Sequence, residues 1–184
     1  MVLVCEEREM KIRQGFVSNS SSSSFIVGFL KIPRTVKEMK EMLFGEESQF
    51  ENPDPYTGNP KSPSWWPTEE IAEIVFNDMK GKKPLSYDQM ADIVSSGWYE
   101  GHPDHKWPSD YNKMTNDEQR TFWEEREKEE DEAAEKHLDK FLKNLPKNMK
   151  FFVFSYSDND GELGGSMEHG DLFRDMKHLK ISKH

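Results

Sequence analysis

Two uncharged stretches, FIVGFL at Phe25–Leu30 and FFVFSY at Phe151–Tyr156, are the densest apolar runs in the chain. β-branched and aromatic residues between polar or proline-containing flanks predict strands, the first buried on both faces, and we assign 24–32 and 150–156. A weaker extended segment at 178–182 sets Leu179 and Ile181 on one face and reads as a closing strand. Elsewhere the apolar period lengthens to that of a helix. Thr35 followed by Glu38 forms a capping box ahead of Val36, Met39, Met42 and Leu43, with Gly45 as the stop. Thr68 caps a second helix through Ile71, Ile74, Val75 and Met79, closed by Gly81, and Ser86 with Gln89 opens a third through Met90, Ile93 and Val94, closed by Gly97.

Thr115 and Glu118 start the longest helix, 115–145. Its first half, DEQRTFWEEREKEEDE, is nearly continuous charge and reads as a solvated arm or a partner surface. An apolar stripe returns at Ala134, Leu138, Phe141, Leu142 and Leu145 and should dock on the body. Residues 46–67, rich in Pro, Asn, Ser and Gly, and 98–111, aromatic with two prolines, read as long loops, and 171–176 as a short helix capped by Asp171. VLVC at 2–5 reads as a short edge strand or a frayed end. The expected fold class is α+β: a small, mainly antiparallel sheet of the three strands, covered by amphipathic helices, with one long acidic helix and more helix than strand.

Composition narrows the partners. Apolar residues make up 34% of the 184 and charged ones 33%, so part of the chain must be solvated helix or loop. A formal charge of −10 argues against nucleic acid as a partner, since a phosphate-binding surface is normally basic; Arg174, Lys177, Lys180 and Lys183 are the best local exception. The one cysteine, Cys5, leaves no disulfide framework and no cysteine-cluster zinc site. With neither a signal peptide nor an apolar run of about 18 residues, the expectation is a cytoplasmic protein without membrane contact.

The segment MKIRQGFVSNSSSSSFIV, Met10–Val27, resembles the opening of a group of small uncharacterised proteins of bacteriophages and bacteria that share a GFVSNSSSSSF motif. The resemblance continues in KIPRTVKEMKEMLFGE and in the tail YSDNDGELGGSMEHGDLF, so it spans both ends of the chain, while the middle matches less well. It implies a single phage-type domain over 10–184, with residues 1–9 as an N-terminal extension, and it carries over no activity and no catalytic residue.

The residues leave two classes of function open. In the first, the protein is non-catalytic and binds a host or phage protein through the acidic helix or the tryptophan-rich loops, where Trp65, Trp66, Trp98 and Trp107 lie. In the second, the serine run and the tail converge on a small phosphorylated or nucleotide-like ligand, with a divalent metal as the conceivable cofactor. Asn19, Ser20, Ser21, Ser22, Ser23 and Ser24 would then offer hydroxyls and backbone amides to phosphate, Asp158, Asp160 and Asp171 would hold the metal, and Glu168 with His169 would move protons. The bland counterpart is a serine turn that satisfies its own backbone and a polar tail whose acids cap helices. His102, Asp104 and His105 form a weak metal pattern without a third partner motif, and an EF-hand over 156–167 fails because Tyr156 and Met167 would occupy ligand positions.

Overall fold

The computed structural model describes residues 22–52, 64–104 and 106–183. Its centre is strand β1, Ser22–Phe29, flanked by β4, Lys150–Ser157, and β5, Lys177–Lys183, in the order β4-β1-β5. Both pairings are antiparallel. Ser22 stands opposite Ser157 on one side and Lys183 on the other, and Gly28 opposite Phe151 and Lys177. The strand starts two residues before its sequence assignment and ends three before, because its partners stop there: β4 begins at Lys150 opposite Phe29. Leu30 and Ile32, left without a partner strand, are 60% and 43% exposed.

Side-chain alternation along β1 divides the interior in two. Phe25, Val27 and Phe29 join Phe152, Phe154 and Tyr156 beneath α1, Val36–Phe44, α2, Thr68–Met79, and α5, Gly161–His169. Ile26 faces the opposite way and joins Met90 and Val94 of α3, Tyr87–Ser95, and Ala134 and Leu138 of α4, Asn116–Leu142. Gly28 lies at a close approach: a Cβ there would fall 2.5 Å from Met149 Sδ and 2.9 Å from Phe151 Cε1, so those side chains would have to shift.

The caps explain where the helices begin. Ser86 and Gln89 form a reciprocal capping box on α3, and Thr115 and Glu118 one on α4. At α1 the Thr35 hydroxyl caps the Glu38 amide, but the Glu38 carboxylate reaches back to the Arg34 amide and to Lys31. Those bonds, to Lys31 first, hold the Glu38 carboxyl below the ordinary range. At α2 the capping expectation is corrected. Pro67 holds the cap position, and Thr68 is the first helical residue, fully buried, its hydroxyl donating to the Glu47 carbonyl at 2.7 Å.

Four further assignments change. The 46–67 segment carries at its two ends a hairpin ladder, β2, Gln49–Asn52, against β3, Ser64–Pro67. Residues 161–169 are helical, and the 171–176 stretch is a run of turns. The helix was hidden because Gly161, Gly164 and Gly165 are poor helix formers; tertiary packing decides it. Finally, the early half of α4 is not bare. Phe122 and Trp123 pack with Trp107 and Tyr111 from the 98–111 segment, and Trp123 Nε1 donates to Tyr111 Oη at 2.8 Å.

Both outer edges of the three-stranded sheet are partly covered. The Leu85 amide donates to the Phe151 carbonyl at 2.8 Å beside β4. Beside β5, Trp98 and Ser182 exchange both backbone hydrogen bonds, at 2.7 and 2.8 Å. No described helix is long and apolar enough to cross a membrane.

Candidate functional site

The sheet topology fixes which chemistry-bearing residues meet. Because β1 is antiparallel to both neighbours, its serine end lies beside the ends of β4 and β5, and Asp158 follows directly on the Ser157 that faces Ser22. A 3-10 turn, Asp158–Asp160, then reverses the chain into α5, whose last turn presents Glu168 and His169. The Glu168 carboxylate, 1% exposed as a residue, accepts from the Asp158 amide at 2.8 Å and lies 3.6 Å from His169 Nε2. Serine strand, 3-10 turn and late carboxylate therefore occupy one end of the fold. Asn19, Ser20 and Ser21 lie outside the described residues.

The internal geometry differs from a phosphate loop. Ser22, Ser23 and Ser24 are strand residues of the central strand, so their amides and carbonyls are taken by the ladders on either side and do not form an open nest. Ser23 and Ser24 are buried, and the Ser24 hydroxyl is 2.9 Å from that of Ser155. This corrects the loop expectation for Ser22 and Ser23, which join Ser24 in the strand. A hydroxyl pair inside a sheet satisfies itself, which is why serines are tolerated in a strand that is otherwise apolar.

Glu168 is likewise committed inward. It acts as a side-chain cap on the Asp158–Asp160 turn, and the helix that carries it is seated by glycine. A Cβ on Gly164 would fall 2.5 Å from the Ser157 carbonyl oxygen and 2.4 Å from Asp160 Cβ, and one on Gly170 would fall 2.6 Å from Phe50 Cζ. Ser166, on the same helix and buried, accepts from Trp66 Nε1 at 3.0 Å, tying the β2–β3 hairpin to α5. Of the adjacent tryptophans, Trp66 thus packs down while Trp65 is half exposed.

Lys180 of β5 closes the group. Its ammonium donates to the Glu168 carbonyl at 2.8 Å and lies 5.4 Å over the Phe25 ring. Burial holds its pKa below the ordinary lysine value, and the negative charges of Glu168 and Asp171 oppose that shift. Asp160 and Asp171 are exposed. Among the described residues no three histidine, cysteine or acidic side chains, Asp158, Asp160 and Asp171 included, are grouped so as to hold a metal ion. His102 stacks on Trp98 with ring centres 4.4 Å apart, and His105 lies outside the described residues.

The second candidate surface is α4. This helix carries eleven acids against five basic residues. Glu124, Glu127, Asp131, Glu132 and Glu135, with Lys128 among them, line one shallow face of about 400 Å³. Arg120 is spent on Asp117 and Glu124, and Arg126 on Glu130 while it covers the Trp123 ring at 5.2 Å. No residue of α4 before Ala134 belongs to either core cluster. At its base the aromatic group leaves Trp107 57% and Trp123 42% exposed. Sequence reading missed this group because Trp107 and Tyr111 precede the charged helix by a loop; the one available signal was the Phe122–Trp123 pair set within the charges.

Neither a family model, nor a curated protein, nor a solved structure matches the chain.

Proposed function

We propose that the protein is non-catalytic and acts by binding a basic surface of another protein, with α4 and the aromatic group at its base as the contact. The observation that carries this is the pairing of half-exposed Trp107 and Trp123 with an acidic helix face that contributes nothing to either core. Like charges at i,i+4 spacing, as at Glu127–Asp131 and Asp131–Glu135, destabilise a helix, and the exposed parts of Trp107 and Trp123 are costly in water, so folding alone does not select them. Both serve recognition: tryptophan supplies buried anchor area in an interface, and a single-sign stripe steers a partner of opposite charge. The resemblance of the chain's two ends to phage-type proteins points to a host or phage protein as partner, met in the cytoplasm.

The alternative, metal-assisted handling of a phosphorylated ligand at the serine end, is supported less. The backbone of Ser22, Ser23 and Ser24 is engaged in the sheet, and the buried Glu168 carboxylate is engaged with the Asp158 amide. The test is capture of a partner from host lysate, followed by reconstitution with the purified partner. A Trp107→Ala/Trp123→Ala variant and a Glu127→Lys/Asp131→Lys variant run alongside. Loss of at least about tenfold in affinity in both variants, with unchanged circular dichroism, is expected. Retention of affinity in both refutes the assignment.

A further inference from the structure

Among the described residues the outer edge of β5 is only half used, and the way it is used defines what else would fit. Trp98 and Ser182 exchange both backbone bonds, so Ser182 directs its N–H and C=O away from β1. In an antiparallel ladder these directions alternate with period two, so the N–H and C=O of Lys180 and His178 point outward as well. The chain that supplies Trp98 does not continue beside them. It turns off where His102 N bonds to the Tyr99 carbonyl, with Gly101 at φ +92° in the region that favours glycine. Among the described residues no backbone group pairs with Lys180 or His178 on that side. What remains is a groove of about 520 Å³, bounded by Trp98, Tyr99, Glu100, His137, Leu179 and the outward edge of β5. That size lies within the range of real ligand clefts.

We propose that this edge accepts an extended acidic segment of a partner protein, added antiparallel to β5 in continuation of Trp98. β-strand addition draws affinity from main-chain bonds and specificity from alternate side chains, and both halves of that rule can be applied here. Positions opposite Lys180 and His178 share their face, where the Lys180 ammonium, which already donates once to the Glu168 carbonyl, favours carboxylates; exposed Lys177 stands on the other face beside Leu179. The position opposite Leu179 faces the α3–α4 side, where His137 stacks on Tyr99 at 4.4 Å, and favours an aliphatic side chain. The lysine that selects an acid also disfavours a second copy of the chain. A twofold pairing centred on Lys180 would set it against itself, where like charges directly opposite are destabilising, and would need the edge of Ser182 that Trp98 already holds.

The probe is a fluorescein-labelled, end-capped five-residue peptide alternating glutamate and valine, titrated into the full chain by anisotropy with amide shifts followed by NMR. The expected result is saturable binding that shifts and protects the Lys180 and His178 amides. Affinity should fall at least about tenfold when the glutamates are N-methylated, which removes two or more main-chain bonds. A similar fall is expected for the Lys177→Glu/His178→Glu variant, and Trp98→Ala serves as a second variant that leaves β5 itself unaltered. No binding at millimolar peptide, equal affinity of the N-methylated peptide, or shifts confined to α4 overturns the proposal. So does a concentration-dependent dimer that the peptide displaces, since that would make a second copy the occupant.

Discussion

Gly164 and Gly165 are neighbours in α5, both buried, and the structure assigns opposite signs to their replacement by alanine. In a helix interior the substitution gains about 0.8–1.0 kcal/mol of propensity, whichever glycine is changed. At Gly165 the new methyl would meet Asp158 Cα at 3.8 Å and Cβ at 3.9 Å, ordinary contact distances, so the gain survives. At Gly164 it would lie 2.5 Å from the Ser157 carbonyl oxygen and 2.4 Å from Asp160 Cβ. Neither atom is the end of a flexible side chain, so relief requires moving α5 away from the end of β4. Overpacking of that kind costs about 1–3 kcal/mol, and the rigidity of both neighbours puts this case in the upper half. Net of propensity, Gly164→Ala should destabilise by about 1–2 kcal/mol and Gly165→Ala should stabilise by about 0.5–1 kcal/mol. For a chain of this size the melting temperature should fall by roughly 2–8 °C in the first and rise by about 1–4 °C in the second. Urea unfolding with the slope compared between variants gives the free energies directly. A neutral or stabilising Gly164→Ala would refute the seating of α5 against the Asp158–Asp160 turn, and with it the placement of Glu168.

Glu168→Ala should cost about 1–3 kcal/mol by leaving the Asp158 amide unsatisfied, while Glu168→Gln keeps an acceptor and should cost distinctly less; equal losses in urea unfolding would mean that the acceptor is not what matters. The Tyr99 hydroxyl is buried without a hydrogen-bond partner among the described residues, so Tyr99→Phe should be neutral or stabilising by up to about 1 kcal/mol, and a loss larger than that would reveal a bonded hydroxyl. Burial, then the nearby charge of Lys140, lowers the His137 pKa below its ordinary value near 6.5, against the opposing pull of Glu100. Its unfolded form therefore binds the proton more readily, so this contribution is full above about pH 6.5 and is lost as pH falls through the lower folded value. Melting followed from about pH 7.5 to pH 5 should show a shallower decline in His137→Gln than in the parent, and identical slopes would exclude His137 as the source.

Elements that carry their own boundary chemistry were legible in the chain. Ser86 with Gln89 and Thr115 with Glu118 form the boxes that their spacing announces, and the uncharged runs at Phe25 and Phe151 become paired strands with the third strand on the other side of β1. Elements that depend on distant partners were not. The four-residue strands β2 and β3 exist through each other and through Trp66 bonding to Ser166, one hundred residues away. Helix α5 runs against its own composition, because at Gly164 the requirement for close approach outweighs the loss in propensity.

The same distinction governs the candidate site. That the serine end and the tail meet was one of two alternatives in the sequence, conditional on a closing strand joining the sheet, and their chemistry on meeting was not legible, because a hydroxyl's role depends on whether its backbone is free. A serine run read as a loop offers amides to a ligand; Ser22, Ser23 and Ser24, in a central strand, spend their backbone on two neighbours, and the Ser24 hydroxyl finds a partner in that of Ser155. Glu168 shows the equivalent for a carboxylate. In sequence it is one acid among many beside a histidine, and in the fold it is the acceptor that the start of the Asp158–Asp160 turn needs. Inward commitment at that end leaves the outward features, the half-exposed Trp107 and Trp123, the acidic face of α4 and the open half of the β5 edge, as the surfaces with unspent capacity to bind. Their opposite charges make the two surfaces separable by experiment: higher salt should weaken both, but a lysine-rich probe should respond to Glu127→Lys and an acidic one to Lys177→Glu, and a single variant that abolished both would mean that one surface, not two, does the binding.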